Sequence, residues 1–338
     1  MLNKNKLEKP NINTEKITKL FGENYFKLIS SFYEMQSDFF RTRYKIHKNL
    51  EISIILMSLI KDVHLSIFRQ REKDLEYNIS LNNFYENNQK IILPSKKVIS
   101  IVNSTGIPKE TVRRKIKKLV NQNYIGLNSK NEYFWNFSTK RRDIFYKVME
   151  SDINSITKFI GNFTECLDLD LSKKLIENEL KKQFSFYFYH FLSCQLNWLK
   201  LWQQRIYDID LLFIAMQALI PTLQYTDKKM NLKKIGTENL YTVIGKTTIN
   251  YKNSTSTVSA TSISDISGIP RATCIRKLDK LVSLGLLIRE IKTKRYYVNQ
   301  TASERTKHIT QKEYVLSSVE IFSEFLSVII RALVLAKD

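Results

Sequence analysis

Cysteine, histidine, glycine and proline are all scarce in this chain of 338 residues. The three cysteines (Cys166, Cys194 and Cys274) and four histidines lack the spacing of a metal site or a disulfide framework. Eight glycines leave no glycine-rich phosphate loop. We therefore predict no metal site, no cofactor and no enzymatic activity.

Long hydrophobic runs are also missing. The longest, Ile52–Ile60 and Phe325–Ala336, are too short to cross a bilayer, and the first residues lack the apolar core of a signal peptide. We expect a cytoplasmic, nucleoid-associated protein with no membrane partner.

Acidic residues are outnumbered. The chain has 33 Asp and Glu against 54 Lys and Arg, which gives a formal net charge of +21. This balance favours a polyanionic partner, of which nucleic acid is the commonest. A membrane surface, or a generally lysine-rich proteome, would produce the same bias.

One passage of the sequence occurs twice. The stretches "GIPKETVRRKIKKLV" (Gly106–Val120) and "GIPRATCIRKLDKLV" (Gly268–Val282) are identical at nine of fifteen aligned positions. Upstream of each, Asn49–Ile60 aligns with Asp208–Leu219. A repeat of this length indicates two copies of one structural unit.

The repeat predicts two tandem units, over residues 15–165 and 175–338. The segment 164–183 between them lacks glycine and proline and is expected to be helical. Apolar residues recur at alternating spacings of four and three over 21–39, 149–163, 187–201 and 315–333. This period predicts long helices at both ends of each unit, packed together so that one chain forms a pseudo-dimer.

The second copy has the pattern of a helix-turn-helix motif over about 259–283. Ser259, or alternatively Thr257, is a plausible N-cap of a short helix that ends at Gly268. Pro270 then begins a longer helix. Its inward stripe is expected to be Cys274, Leu278 and Leu281.

The first copy repeats this pattern over about 95–120. Ser95 is expected to cap the short helix, and Gly106 to form the turn. The inward stripe would be Val112, Ile116 and Leu119. The β-prone runs that follow, at 124–137 and 286–299, predict two-stranded hairpins, with Lys90–Pro94 as a possible third strand.

A helix-turn-helix followed by a basic hairpin is typical of winged-helix DNA-binding units. Lys109 and Arg271 stand where a helix N-terminus enters the major groove, and Arg and Lys there read guanine edges. Basic residues farther along, such as Lys118 and Lys280, would hold phosphates. The alternative is a winged-helix fold that contacts protein. The predicted fold class is mainly α with small β wings.

The stretch "IPRATCIRKLDKLVSLGLLIRE", followed by "KRYYVNQTASER", resembles the recognition helix and wing of the multiple-antibiotic-resistance regulator (MarR) family. The specific part of the resemblance covers about forty residues per copy. It implies a winged helix-turn-helix transcriptional regulator of double-stranded DNA, with a possible, unidentified small-molecule effector. Family members usually carry one unit per chain and act as homodimers on palindromes. This chain departs from them by long polar segments at 69–89 and 224–256, and by "SKNE" and "KTKR" at the hairpin tips.

The candidate DNA-contacting residues lie in the second helix of each motif and at the hairpin tips. For the first unit they are Pro108, Lys109, Thr111, Arg114, Lys115, Lys118, Lys130 and Asn131. For the second unit they are Pro270, Arg271, Thr273, Arg276, Lys277, Lys280, Lys292, Lys294 and Arg295.

The two helices differ at outward positions, since Glu110 aligns with Ala272, Arg113 with Ile275 and Lys117 with Asp279. We therefore expect an imperfect palindrome, with the first unit holding phosphate more strongly. Two other functions stay open: a plasmid-type replication initiator with two winged helices, and a chromosome-organising scaffold protein.

Overall fold

The computed structural model describes residues 12–86, 93–137, 141–206, 208–230, 256–299 and 312–337. Over these residues the protein is mainly helical, with two small antiparallel sheets. This confirms the predicted balance of helix and short strands.

The first half of the chain runs through seven helices and three strands within the described residues. They are α1 (Thr14–Glu23), α2 (Tyr25–His47), α3 (Leu50–Lys73), α4 (Leu81–Glu86), β1 (Ser95–Lys96), α5 (Val98–Thr105), α6 (Lys109–Asn121), β2 (Ile125–Leu127), β3 (Tyr133–Trp135) and α7 (Arg142–Cys166).

The second half repeats this order without counterparts of α4 and β1 among its described residues. It contains α8 (Lys173–Lys182), α9 (Phe184–Ile206), α10 (Ile209–Met230), α11 (Ala260–Ser267), α12 (Arg271–Ser283), β4 (Leu287–Arg289), β5 (Tyr296–Val298) and α13 (Lys312–Lys337). An isolated bridge between Val258 and Tyr296 takes the place of the third strand.

The join between the halves is helical only in part. Helix α7 ends at Cys166, and Asp168 adopts a left-handed conformation with φ of 53°. Helix α8 then begins after Ser172, whose side chain accepts a hydrogen bond from the Leu175 amide. Because α8 occupies the position of α1 in the repeat, it is the first helix of the second half rather than a linker.

The long helices of each half pack against the other half as well as their own. Helix α2 lies against α7 and α10, while its counterpart α9 lies against α13 and α3. Helix α1 packs on α13, and α8 packs on α7. The apolar seams predicted from the sequence supply these contacts, as where the ring of Phe21 lies 5.8 Å from that of Phe322.

Aromatic contacts between α2 and α9 are reciprocal. The ring centroids of Phe32 and Trp198 lie 5.5 Å apart, and those of Phe39 and Phe191 are also 5.5 Å apart. In the repeat, Phe32 corresponds to Phe191 and Phe39 to Trp198. Each contact is therefore the counterpart of the other, as in an interface between two copies of one surface.

One described segment, Ile209–Lys228 within α10, is long and apolar enough to cross a membrane. Its window is 56% buried inside the fold, because α10 packs against α2, α12 and β5. Burial in a protein core accounts for this composition. Of the two polar segments noted in the sequence, 69–89 contains the end of α3 and all of α4, and its last three residues lie outside the described residues. Most of 224–256 also lies outside the described residues.

The segment before α5 differs from the predictions made for the first unit, and the predicted cap at Ser95 is wrong. Ser95 does not cap α5, which begins after Lys97; Ser95 lies in β1 and pairs with Phe134 of β3. The third strand is Ser95–Lys96; residues 90–92 of the predicted strand lie outside the described residues, and residues 93 and 94 belong to no strand. Lys96 explains the shift, since its ammonium contacts Asp62 at 2.7 Å and thereby holds this short strand against α3.

Candidate nucleic-acid interface

The first candidate surface is built on α5 and α6. Gly106 ends α5 with φ of 73°, a left-handed conformation that glycine adopts without strain. Pro108 then stands at the N-cap of α6. The predicted stripe of Val112, Ile116 and Leu119 is fully buried, so the opposite side of α6 must face solvent.

The second candidate surface has the same construction. Ser259 caps α11 in a reciprocal capping box with Ser262, which confirms Ser259 over Thr257. Gly268 ends α11 with φ of 74°, and Pro270 is the N-cap of α12. The predicted inward stripe, Cys274, Leu278 and Leu281, is completely buried.

A two-stranded antiparallel hairpin follows each of these helix pairs. In the first, Ile125 pairs with Trp135, and in the second Leu287 pairs with Val298. The Phe134 ring lies directly over Gly126, where no Cβ would fit. The hairpins therefore stand where the sequence predicts them, and the residues at their tips are exposed.

Most of the candidate cations lie on the exposed side of these elements. On α6 and α12 the candidates Lys109, Arg114, Lys118, Arg271, Arg276 and Lys280 are exposed. At the hairpin tips Lys130, Asn131, Lys292 and Lys294 are exposed. Pro108 and Pro270 are exposed at the helix starts, and Thr111 and Thr273 are half-buried.

Two candidates lie on the inner side instead. The side chain of Lys115 is only 16% exposed, and its ammonium lies 3.3 Å from the Glu51 carboxylate on α3. Lys277 is 14% exposed and pairs with Asp208 just before α10. These lysines fasten α6 and α12 to the underlying helices, so their charge is neutralised within the protein.

Arg295 is also committed to an internal role. Its guanidinium donates to the Thr257 hydroxyl at 2.7 Å and to the Thr257 carbonyl at 2.9 Å. Arg295 thereby ties the start of β5 to the segment before α11. Arg271 is exposed but donates to the Thr261 hydroxyl at 3.1 Å, which links α12 to α11.

Sequence reasoning placed Arg113 and Lys117 at outward positions but not among the candidate DNA-contacting residues, and both are exposed on the outer side of α6. Their positions in the helical repeat relative to Val112 and Ile116 would have found them. It also missed Asp279 as a bridge from α12 to the hairpin: its carboxylate accepts from the Tyr296 hydroxyl at 3.0 Å and lies 3.5 Å from the Arg289 guanidinium.

A cavity of about 110 Å³ lies behind the first hairpin. Arg43 and Asp152 form part of its wall through a two-point ion pair, with N–O distances of 2.9 and 2.6 Å. His47 and Tyr124 close the side next to the hairpin. Burial, with the positive charges of Arg43 and Arg141, lowers the pKa of His47 to about 4, so His47 is neutral at pH 7.

Among the described residues no group of three or more His, Cys, Asp or Glu side chains is placed to hold a metal ion. Comparison with protein-family models, curated proteins and solved structures finds no match to this chain. The functional argument therefore rests on the geometry and charge of the two surfaces.

Proposed function

We propose that this chain is a sequence-specific double-stranded DNA-binding protein with two winged-helix units, and that it regulates transcription. The observation that carries the proposal is the orientation of α6 and α12. Each buries an apolar stripe completely and directs a row of cations outward, beside a hairpin whose tip exposes one lysine in the first unit and two in the second.

The outward cations are available for a partner. Among the described residues, Arg114, Lys118, Arg276 and Lys280 make no ion pair, whereas Lys115 and Lys277 on the inner side do. An ordinary solvated helix face mixes both signs of charge. Arginine and lysine without partners on an exposed helix match the repeated negative charge of a DNA backbone.

The reciprocal packing of the two halves supports joint action of the two surfaces. In homodimeric helix-turn-helix proteins, a twofold axis presents two recognition helices to successive major grooves roughly 34 Å apart. Here α2 contacts α10 and α9 contacts α3, so one chain supplies both halves of such an interface. The proposed unit of function is a single chain that acts as a pseudo-dimer.

In vitro selection from a random duplex library tests the proposal, followed by fluorescence anisotropy over a salt series with the selected duplex. We expect enrichment of one sequence and a steep loss of affinity as salt rises. Arg114→Ala and Arg276→Ala should each reduce the slope of log K against log salt by about 0.9, the value for one lost phosphate contact in B-DNA.

Arg331→Ala is the matched control, because Arg331 is exposed on α13, a helix that packs against α1, α7, α8 and α9. It should leave the slope and the affinity unchanged. Failure of the wild-type chain to retain any duplex at low salt would contradict the proposal. An equal effect of Arg331→Ala would also contradict it, since binding would then depend on total charge alone.

A further inference from the structure

We infer that the chain binds DNA in one orientation, on a site with two unequal halves, because α6 exposes more cations than α12, whereas the second hairpin tip exposes more lysines than the first. This inference rests on the proposed function and adds to it the type of DNA site. A homodimer treats both halves of its site alike, whereas a chain with two diverged units does not.

The helix surfaces differ in charge. Helix α6 exposes five cations, Lys109, Arg113, Arg114, Lys117 and Lys118. Its one carboxylate, that of Glu110, is already paired with Arg113 at 2.8 Å. Helix α12 exposes three cations, Arg271, Arg276 and Lys280, together with the Asp279 carboxylate. A phosphate backbone is therefore attracted more strongly by α6 than by α12.

Asp279 distinguishes the second unit structurally as well as electrostatically. It accepts a hydrogen bond from the Tyr296 hydroxyl at 3.0 Å and lies 3.5 Å from Arg289, so it connects α12 to both hairpin strands. By strand pairing the corresponding residues in the first unit are Lys117, Leu127 and Tyr133, and Lys117 and Leu127 supply neither the carboxylate nor the guanidinium. Two positions, those of Asp279 and Arg289, have thus diverged together, and of the two described hairpins the second is fastened to its helix in this way.

The hairpin tips differ in the opposite sense. At the first tip, Glu132 accepts hydrogen bonds from Ser95 at 2.7 Å and from the Asn128 side chain at 3.5 Å. These bonds lower the pKa of Glu132, which keeps the carboxylate ionised beside Lys130 and offsets its charge. The second tip exposes two lysines, Lys292 and Lys294.

The second tip also carries one carboxylate, that of Glu290. Glu290 accepts a hydrogen bond from the Thr293 hydroxyl at 2.6 Å and stands at the base of the turn. At the second tip two exposed lysines, Lys292 and Lys294, stand against this one carboxylate, whereas at the first tip Lys130 alone stands against Glu132. A hairpin with free lysines at its tip, braced against α12 through Asp279, is suited to hold the DNA backbone beside the groove that α12 enters.

The test compares the duplex selected by the wild-type chain with two symmetrised duplexes, each carrying one half-site twice. Affinities are measured by fluorescence anisotropy at fixed salt. We expect the selected site to be asymmetric and each symmetrised site to bind at least about tenfold more weakly, a difference of about 1.4 kcal/mol.

Matched charge removals assign the halves. Lys292→Ala with Lys294→Ala should lower the salt slope by about 1.8, since two phosphate contacts are lost, whereas Lys130→Ala should lower it by less than about 0.9. Arg113→Ala with Lys117→Ala should also lower the slope. This change reports on the first unit alone, because the aligned residues of the second unit, Ile275 and Asp279, carry no positive charge.

Each result is decisive. A palindromic selected site, with equal affinity for both symmetrised duplexes, would overturn the inference and leave DNA binding intact. Equal slope changes per removed lysine at the two tips would also overturn it. Absence of enrichment and of binding at low salt would instead overturn the proposed function, and the inference with it.

Discussion

Gln36 and Gln195 occupy the same position in the two halves of the chain and hydrogen-bond to each other, with 2.6 Å between Nε2 of Gln36 and Oε1 of Gln195. Both are fully buried. On either side, Phe32 meets Trp198 and Phe39 meets Phe191. As residue numbers increase along α2, the numbers of their partners on α9 therefore decrease. The two helices run antiparallel, with a residue paired to its own counterpart at the centre.

This glutamine pair allows a double-mutant test of the contact between halves. Gln36→Leu or Gln195→Leu alone leaves a buried amide without its partner and should cost about 1–3 kcal/mol. The double variant replaces both amides with apolar groups and should cost less than the sum of the single variants. Urea unfolding measures all four proteins. Simple additivity would show that the two amides do not interact.

Two turn glycines form a second matched pair. Gly106 and Gly268 have φ of 73° and 74°, so alanine at either site should cost about 1–2 kcal/mol in backbone strain. A Cβ at Gly106 would also lie 3.3 Å from Cγ of Lys200 on α9, whereas a Cβ at Gly268 would meet nothing within 4 Å.

Truncation of Lys200 should therefore separate the two sites. Lys200→Ala is expected to reduce the cost of Gly106→Ala and to leave the cost of Gly268→Ala unchanged. Thermal unfolding of the single and combined variants checks this. If Lys200→Ala changed both costs equally, the first turn would not rest on the helix of the other half.

The inner and outer lysines of α6 should behave differently toward DNA. Lys118→Met removes an exposed charge and should lower the salt slope of binding by about 0.9. Lys115→Met removes a charge that is paired with Glu51, so it should leave the slope nearly unchanged and instead lower the midpoint of unfolding. The two variants share helix, charge and replacement. A slope change of the same size in both would place Lys115 on the DNA.

His64 should make the fold sensitive to acid. It is fully buried, stacks on Phe84 with ring centroids 4.9 Å apart, and lies 3.3 Å from the Ser185 hydroxyl. Burial lowers its pKa from 6.5 to about 3. Below pH 6.5 the unfolded chain therefore takes up a proton that the folded chain does not. The free energy of unfolding then decreases by about 1.4 kcal/mol for each unit by which the pH is lowered below 6.5.

His64→Leu removes this contribution. Leucine is the matched replacement, because Leu223 occupies the corresponding position of the second half. Unfolding free energies between pH 7 and pH 5 should then fall less steeply than in the wild type. His47, whose pKa is about 4, should retain a slope of the same sign in both proteins. Identical pH profiles would contradict the assignment to His64.

Local sequence signals predicted the helix pairs and hairpins well. The buried stripe of Cys274, Leu278 and Leu281 follows from helical spacing, and the left-handed Gly106 and Gly268 follow from the need for a tight turn. These features depend on a few neighbouring residues. They can therefore be predicted without knowledge of the tertiary fold.

Pairings across the chain were not predictable in the same way. Periodicity shows that Phe32 and Trp198 face a helix, but not that they face each other. Likewise Lys115 and Lys118 look equivalent in sequence until α3 brings Glu51 to one of them. Ser95 resembles an N-cap, yet Lys96 and Asp62 hold that segment as a strand.

The central claim is that one chain places two DNA-reading units on one duplex. Hydroxyl-radical footprinting of a complex whose mass is fixed by light scattering tests it most directly. The account predicts one chain per duplex and two protected patches on one face, about 10 base pairs apart. A single protected patch per chain, or two chains on each duplex, would contradict it.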